Sequence, residues 1–338
     1  MNLPVIDVVI AQNEKMLLEQ RIVYLKGQVD EFHVFEIDHT FSGAKRSFFF
    51  DQDSIRQILS LSNIFHHKLY VPSEITDNAE KWLIESWVRQ YLLEWSSSIS
   101  GIMLFCDVDE IPSQSQIDWL KREAKNGITY KIYTQFFLRK INLLLVHASD
   151  YKSSYTPNSY AIVCPHSRDP EINYRRFSGF IIPTSPGAHF SYLNFSSEDL
   201  KEKYKSFSHT EMNNDRFSSQ ELLDFCEEYQ ISHRGWTNQK GLGLLQSIDY
   251  KSNEVVSFFV ENFSYPIAER GGGKHGLLVR VLASELVTRF ITYRRVPNLK
   301  NFDLISSRIF LMVSFALRSF KRILSQISRS KKQARYFS

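Results

Sequence analysis

The stretch Val5-Ile-Asp-Val-Val-Ile10 is a short apolar run rich in β-branched residues, which is typical of a buried strand. Apolar residues at helical spacing follow between Leu17 and Leu25, and Glu31-Phe-His-Val-Phe-Glu-Ile37 predicts a second strand. Strand, helix and strand in this order are the pattern of a βαβ unit, whose two strands are parallel. The sequence therefore predicts an α/β fold with a mostly parallel central sheet.

The rest of the chain continues this mixture of strands and helices. Ile102-Met-Leu-Phe-Cys106 is another apolar strand, and residues 130–145 are β-rich and aromatic. Residues 150–188 hold five prolines, which predict a loop-rich segment with short strands. Helices are predicted over residues 51–61, 78–95, 113–125 (with Ser113 or Ser115 as N-cap), 196–207, 219–229 and 253–262.

The glycine run Arg270-Gly-Gly-Gly-Lys274 divides the chain into two regions of opposite charge. The protein has 338 residues and a formal net charge of +4, but residues 270–338 carry +13 and residues 1–269 carry −9. We therefore predict a catalytic domain over 1–269 and a basic helical tail over 270–338. The acidic body excludes nucleic acid as a partner on charge alone, and the basic tail favours an anionic surface.

Cysteine usage and the N-terminus indicate a cytoplasmic protein. Cys106, Cys164 and Cys226 are an odd, widely spaced set, which favours reduced thiols over a disulfide framework. Residues 1–7 lack the basic and apolar regions of a signal peptide. No window reaches the roughly 18 apolar residues that a membrane-spanning helix needs.

The segment Asp107-Val-Asp109-Glu110-Ile-Pro112 directly follows the third predicted strand. Open α/β sheets bind their ligands at the carboxyl ends of strands, so both aspartates stand at a favoured position. Carboxylate oxygens suit Mg²⁺ or Mn²⁺, cations that also bind substrate phosphates. The alternative is a solvated acidic turn, because two aspartates at this spacing also occur by chance.

Three further segments carry polar groups that suit a binding site. Thr40-Phe-Ser42-Gly43 with Lys45 combines hydroxyls, a glycine and a cation, which can hold a phosphate, although an ordinary turn has the same composition. Glu85 and Arg89 are an i, i+4 pair, for which a surface salt bridge is the simpler interpretation. The third segment, 187–211, groups candidate bases, cations and metal ligands, namely His189, Glu198, Asp199, Lys203, His209 and Glu211.

These segments, taken in order, resemble glycosyltransferase family 17, the β-1,4-N-acetylglucosaminyltransferases that include the bisecting-GlcNAc enzyme. The similar blocks lie at 13–21, 29–45, 82–89, 107–112, 187–211 and 243–265, and together they cover about residues 5–266. The sequence departs from the family pattern at Ala188, where tryptophan is usual, and at Gln12, where an aromatic residue is expected. Residues 142–186 match only loosely, and this region is expected to shape the acceptor site.

The resemblance implies a GT-A-type, Rossmann-like nucleotide-sugar-binding domain. It implies a UDP-sugar donor, UDP-GlcNAc by default, a divalent Mn²⁺ or Mg²⁺ ion, and inversion at the anomeric carbon. Asp109 would hold the metal, with Asp107 and His209 as further ligands. Glu211 is our choice of general base, with Asp199 and Glu110 as other catalytic candidates. The donor-binding candidates are Asn13, Glu14, Glu36, Thr40, Ser42, Gly43, Lys45, Glu85, Arg89, Asp107, His189, Lys203 and His209.

The expected activity is transfer of a sugar, GlcNAc by default, to a hydroxyl of a glycan or lipid-linked glycan. Such an enzyme would serve the synthesis of a cell-surface polysaccharide or glycoconjugate. One alternative is a metal-dependent phosphoester hydrolase, although the His/Asp spacing that holds two metals is not found. The other alternative is a non-catalytic glycan- or lipid-binding protein on the same fold.

The tail has apolar residues at helical spacing between Ile305 and Ile327, with basic residues interspersed. A basic amphipathic helix fits the plane of an anionic membrane surface, and a lipid-linked acceptor would be found there. The alternative is a helix that docks on the catalytic domain or on a second subunit. We expect the first, which places the protein on the inner face of the membrane as a peripheral protein.

Overall fold

One mixed sheet runs through the part of the chain that the structure, a computed structural model, describes. The described residues are 3–12, 14–48, 63–76, 82–126, 128–147, 155–164, 180–193, 195–206, 220–229, 243–265 and 267–268. The strands are β1 Val5–Ala11, β2 Glu31–Ile37, β3 Ile64–Leu69, β4 Gly101–Asp107, β5 Glu110–Ile111, β6 Thr129–Leu138, β7 Leu143–His147, β8 Tyr155–Cys164, β9 Phe180–Ile181, β10 Gly187–Ser191 and β11 Gly243–Ser247.

Helices cover both faces of this sheet. They are α1 Lys15–Leu25, α2 Ser73–Thr76, α3 Leu83–Ser96, α4 Gln114–Glu123, α5 Ser197–Ser206, α6 Gln220–Tyr229 and α7 Glu254–Phe263, with a short 3₁₀ helix at Tyr250–Ser252. Among the described helices, none has both the length and the apolar character needed to cross a bilayer. The predicted helix over 51–61, the boundary near residue 270 and the basic tail lie outside the described residues.

The strand order is β11-β7-β6-β8-β4-β1-β2-β3. The four strands β3, β2, β1 and β4 are parallel, which confirms the predicted βαβ unit and the parallel centre of the sheet. Beyond β4 the sheet becomes mixed, because β8 pairs antiparallel with both β4 and β6. The register pairs Ile10 with Asp107 and Ala11 with Glu36, so the carboxyl ends of β4, β1 and β2 lie side by side.

Strand β1 is apolar except at Asp7, because both of its faces are buried. Val5 and Val9 pack into a core with α1, α4 and α7, to which Ile22, Ile117 and Phe259 belong. Ile6, Val8 and Ile10 pack into a second core on the opposite face, against Ile84, Val88 and Leu92 of α3. A strand between two helical layers is expected to be a near-continuous apolar run, and β1 is one apart from Asp7.

The structure differs from the sequence prediction at the start of one helix and in the loop-rich segment. Helix α3 begins at Leu83 because Trp82 has a φ of +74°, which cannot continue a right-handed helix; residues 78–81 lie outside the described part. The predicted loop-rich segment contains the ten-residue strand β8. Pro157 is tolerated in β8 because the β6–β8 register shifts between Ile132 and Thr134, where Pro157 need not donate a ladder hydrogen bond.

Strands β2 and β3 are joined by a stacked pair of histidines. His33 Nδ1 and His67 Nε2 are 2.9 Å apart, and the two rings stack with centroids 5.1 Å apart beside Trp95. Burial, followed by the nearby His33 and His66, lowers the pKa of His67 to about 4. Burial also lowers the pKa of His33, although its contact with Glu31 opposes this.

We predict that acid weakens the fold at this histidine pair. Between about pH 6.5 and about pH 4 the unfolded chain holds a proton on His67 that the folded chain does not, so the free energy of unfolding falls as pH falls through this window. Above about pH 6.5 the contribution is fully present. In urea unfolding measured across this range, His67→Gln should show a shallower pH dependence than the native chain. Equal slopes for the two proteins would contradict the assignment.

Candidate active site

The turn Asp107–Glu110 at the end of β4 is held from below by the side chain of Arg21. This arginine, on α1, is fully buried and forms a two-pronged ion pair with Asp7 of β1, at 2.8 Å and 2.7 Å. Its remaining nitrogen, Nη1, donates to the carbonyl oxygens of Asp107, Val108 and Glu110 at 3.3, 3.4 and 2.7 Å. Burial alone would lower the pKa of Arg21, but Asp7 raises it, so the guanidinium stays charged.

The turn is also held by the start of α4, which follows it, and by strand β10, which pairs with β5. Ser113, the predicted N-cap of α4, closes a capping box: its Oγ accepts from the Gln116 amide at 3.2 Å, and Gln116 Oε1 accepts from the Ser113 amide at 2.9 Å. Strand β5 pairs antiparallel with β10, and the Phe190 amide donates to the Asp109 carbonyl at 2.8 Å. A β-carbon at Gly187 would lie 2.2 Å from the Ile111 carbonyl oxygen, so this close approach requires glycine.

Asp109 is surrounded by two cationic side chains. Its Oδ2 lies 3.5 Å from His189 Nε2 and 3.8 Å from Lys203 Nζ. Burial would raise the pKa of Asp109, but His189 and Lys203 hold it below its usual value. Burial would likewise lower the pKa values of His189 and Lys203, and the carboxylates around them, Asp109 foremost, raise both. Asp109 is therefore ionised, and both neighbours favour their charged forms.

Asp107 has a different environment from Asp109. Arg89 Nη2 contacts both carboxylate oxygens of Asp107, at 3.0 Å and 3.4 Å, and Arg89 also pairs with Glu85 at 2.8 Å. Glu85 and Arg89 are both buried, so the simple surface salt bridge weighed from the sequence is wrong. The pair connects α3 to the turn and fixes Asp107, whose side chain is still about a third exposed.

Glu110 lies beneath the turn. Its Oε2 accepts from the Ser159 hydroxyl at 2.6 Å and from the Asp107 amide at 3.3 Å, and its Oε1 lies 3.8 Å from His189 Nδ1. Burial, followed by the charge of Asp107, raises the pKa of Glu110. Glu110 is 2% exposed and is not among the cavity-lining residues, so its contacts support the turn from inside.

A cavity of about 420 Å³ opens beside Asp109. Its walls are the start of α1, one face of α5 and the segment after β10. The residues that line it are Glu14, Lys15, Met16, Leu17, Asp109, Phe190, Tyr192, Leu193, Phe195, Asp199, Glu202, Lys203 and Tyr265. Lys203 crosses the cavity: its Nζ lies 3.8 Å from Glu14 Oε1 and over the rings of Tyr192 and Phe195, at 5.3 Å and 5.4 Å.

The family model of glycosyltransferase family 17 matches residues 2–232, well over half of the chain. The chain belongs to glycosyltransferase family 17. Among curated proteins, none matches it. Membership makes the protein a glycosyltransferase, so the hydrolase and the non-catalytic binding protein are no longer favoured. The matched residues include the turn, α1, α3 and α5, and therefore the whole arrangement around Asp109 apart from Tyr265.

The segment after β2 of this family 17 enzyme is folded on itself. Thr40 Oγ1 contacts Ser42 Oγ at 2.9 Å and accepts from the Ala44 amide at 3.0 Å, while Gly43 has a φ of +96°. Ser42 donates from its hydroxyl and its amide to the Lys205 and Ser206 carbonyl oxygens, so the segment caps the end of α5. This anchors the helix that carries Lys203.

Two other candidates from this region are also engaged in contacts. Glu36 is buried, with Arg46 Nη2 at 2.6 Å and His66 Nε2 at 3.3 Å from its carboxylate oxygens. Lys45 forms a β-bridge with His39. Asn13, His209 and Glu211 lie outside the described residues.

The sequence analysis gave no role to two residues of the site, Arg21 and Glu202. Arg21 is the last residue of the first block that resembles the family, and the available signal was a charged residue next to Ile22 on the apolar side of α1. Glu202 lines the cavity one helical turn after Asp199, and its spacing from Asp199 and Lys203 could have shown that all three share a face.

The donor set fits a divalent cation that takes its other ligands from substrate. Within the described residues, no group of three His, Cys, Asp or Glu side chains could hold a metal by itself. Asp109 presents a carboxylate to the cavity, and Asp107 lies two residues away with part of its carboxylate exposed. Such a pair suits Mg²⁺ or Mn²⁺, which usually keep waters and bind through one or two carboxylates plus substrate phosphates.

We predict that the Arg21 clasp is needed for activity beyond its effect on stability. Arg21→Met alone strands Asp7 and should lower the free energy of unfolding by about 3–5 kcal/mol. The double variant Asp7→Leu/Arg21→Met replaces the ion pair with apolar groups and should recover most of that loss. It still lacks donors to the three turn carbonyls, so its turnover should remain about 100-fold below that of the native enzyme, as for a small misplacement of a reacting group.

Urea unfolding and turnover of a nucleotide sugar, measured on the same protein samples, separate the two effects. Val23→Ala, a change at an exposed side chain of the same helix outside the cavity lining, serves as the matched control for stability and turnover. Recovery of both stability and turnover in the double variant would show that the clasp is only structural.

Proposed function

We propose that the protein is an inverting, metal-dependent GT-A-type glycosyltransferase that uses a UDP-sugar, with GlcNAc as the sugar that the family implies. The observation that carries the proposal is the position of Asp109. Its ionised carboxylate faces a cavity at the carboxyl end of β4, between His189 and Lys203. This combination of an anionic metal ligand and two cations matches the charge of a diphosphate bound through a metal ion.

Asp109 would hold the Mn²⁺ or Mg²⁺ ion, with Asp107 assisting from its fixed position beside Arg89. The ion supplies Lewis-acid stabilisation of the charge that builds on the diphosphate leaving group. Lys203 and His189 contribute to the same stabilisation as hydrogen-bond donors, because both favour their charged forms. Lys203 is held over two aromatic rings, which positions its ammonium group before substrate arrives.

Inversion requires one displacement, in which the acceptor oxygen attacks the anomeric carbon from the side opposite the leaving diphosphate. The C–O bond to the acceptor forms as the bond to the diphosphate breaks, and the acceptor proton passes to a general base. We assign Glu211 as that base because it lies in the 187–211 segment, which resembles the family. Asp199 and Glu110 suit the role less well, because Asp199 closes the N-terminal capping box of α5 with Ser196 and Glu110 is buried under the turn.

We also propose where the enzyme acts, from the charge of its tail. Residues 270–338 carry a net charge of +13, which favours contact with an anionic membrane surface. We propose that this contact brings the enzyme to a lipid-linked glycan on the inner face of the membrane. Synthesis of a cell-surface polysaccharide or glycoconjugate is the process that this placement fits.

We predict that Asp109→Asn lowers turnover by at least about 100-fold, because it removes the charge that holds the metal and diphosphate. The measurement is release of nucleoside diphosphate from a panel of UDP-, GDP- and CMP-sugars with Mn²⁺, in the full chain. The native protein should prefer a UDP-sugar, lose activity when a chelator removes the metal, and regain it when Mn²⁺ is restored. Asp224→Asn, the same change at an exposed position on α6, is the control and should keep native activity.

Two results would count against the proposal. One is turnover of a UDP-sugar that survives both chelation and Asp109→Asn. The other is failure of the native protein to bind any nucleotide sugar in the presence of Mn²⁺ or Mg²⁺.

A further inference from the structure

The cavity beside Asp109 has two ends of different charge. At the inner end, where the side chains are largely buried, Asp109 meets Lys203 and His189, and Lys203 also lies 3.8 Å from Glu14. At the outer end, Asp199 and Glu202, which precede Lys203 in α5, line the cavity with exposed carboxylates. Counted together, the cavity-lining side chains comprise four carboxylates and two ammonium groups, a formal charge of −2. If a metal neutralises Asp109, the remaining anionic charge lies on the wall of α5 and on Glu14.

This charge arrangement decides which substrate each end can take. A diphosphate is favoured at the inner end, because His189 and Lys203 offset Asp109 and Glu14 there and a bound metal ion would add positive charge. The same group would be repelled by Asp199 and Glu202, because like charges in a cleft raise the free energy of binding. The outer end is therefore unsuited to the nucleotide and available to the other substrate of the transfer.

The α5 wall can recognise hydroxyl groups. Asp199 and Glu202 are three residues apart, so their carboxylates lie on the same helix face, and Lys203 on the next position points inward from it. Asp199 is fixed by hydrogen bonds from the Ser196 amide and hydroxyl to one oxygen, at 2.9 Å and 2.8 Å. A carboxylate accepts hydrogen bonds only, so both residues pair with hydroxyl donors and disfavour another anion.

Apolar side chains complete the lining. Met16 is 53% exposed at the start of α1, Leu193 and Phe195 come from the segment between β10 and α5, and Tyr265 follows α7. Tyr265 is locked in place by its hydroxyl bond to Gln20. A pyranose ring carries hydroxyls around its rim and C–H groups on its faces, so it can bind carboxylates and apolar side chains at the same time. The volume of the whole cavity, about 420 Å³, falls in the range of small-molecule sites.

We propose that the outer end of this cavity is the acceptor subsite, and that it selects the terminal rings of an uncharged glycan. Asp199 and Glu202 accept hydrogen bonds from the acceptor hydroxyls, and Met16 and Phe195 pack against the ring faces. Glycans whose terminal ring carries a carboxylate are excluded by Asp199 and Glu202. This inference rests on the proposed function, because it names the substrate that shares the site with the nucleotide sugar.

The test compares neutral and acidic glycans as ligands of the full chain in the presence of UDP and Mn²⁺. The probes are methyl lactoside, methyl cellobioside and methyl mannobioside, each beside the analogue in which the terminal C6 hydroxyl is oxidised to a carboxylate. Dissociation constants come from saturation-transfer NMR titrations, which do not require turnover. At least one neutral glycoside should bind about tenfold more tightly than its acidic analogue.

Three variants separate the contributions that the α5 carboxylates and the apolar lining make to glycoside binding. Glu202→Lys should reverse the preference, so that the acidic analogue gains about tenfold or more. Asp199→Asn keeps the ability to cap α5 and should weaken the neutral glycoside while reducing the discrimination. Met16→Ser should weaken both members of a pair by a similar factor and leave their ratio unchanged, because the apolar lining does not distinguish charge. Glu198→Gln, an exposed α5 residue outside the cavity lining, is the matched control.

The inference is overturned if no glycoside binds, or if Glu202→Lys and Asp199→Asn leave the neutral-to-acidic ratio unchanged while both proteins unfold at the native urea concentration. Failure of the proposed function looks different. In that case the native protein releases no nucleoside diphosphate from any nucleotide sugar, whatever the glycosides do.

Discussion

The buried guanidinium of Arg21 is the interaction on which the rest of the site depends. It joins β1, through Asp7, to three carbonyl groups of the turn after β4, and it does so from α1. A buried ion pair of this kind is weak evidence for stability, since an apolar pair of similar volume often serves as well. Its geometric effect is more specific: one planar group fixes the direction of three carbonyl groups in the same turn. The side chains of Asp107 and Asp109 are thereby oriented through the backbone of that turn.

The two aspartates of the turn are not equivalent, because different elements hold them. Asp107 is fixed by Arg89 of α3, from one face of the sheet, and Asp109 is flanked by His189 of β10 and Lys203 of α5, from the other side. Only Asp109 lines the cavity among these two. Asp107 is the more exposed of the two, but its carboxylate is paired with Arg89, whereas the Asp109 carboxylate faces the cavity; this difference is why we propose Asp109 as the metal ligand and Asp107 as the assisting group.

The parts of the fold that depend on local sequence could be predicted. The apolar run of β1 and the capping box at Ser113 are visible in a few consecutive residues, and so is the position of the aspartates at a strand end. The parts that depend on distant pairing could not. Burial of Glu85 and Arg89 follows from packing of α3 against β4, and the role of Ser42 follows from contact with a helix about 160 residues later. A pattern of residue types contains no record of such partners, so a buried ion pair and a solvated one look alike in sequence.

For the same reason, the cavity is harder to predict from sequence than the turn. Its cationic end and its anionic end both come partly from α5, where Asp199, Glu202 and Lys203 are almost adjacent in sequence. In sequence they look like a mixed, solvated helix face. In the fold, Lys203 reaches over two aromatic rings to Asp109, whereas the Asp199 and Glu202 side chains stay exposed. One helix therefore presents opposite charges to a single cavity, an arrangement that suits the anionic leaving group and the uncharged acceptor that we propose.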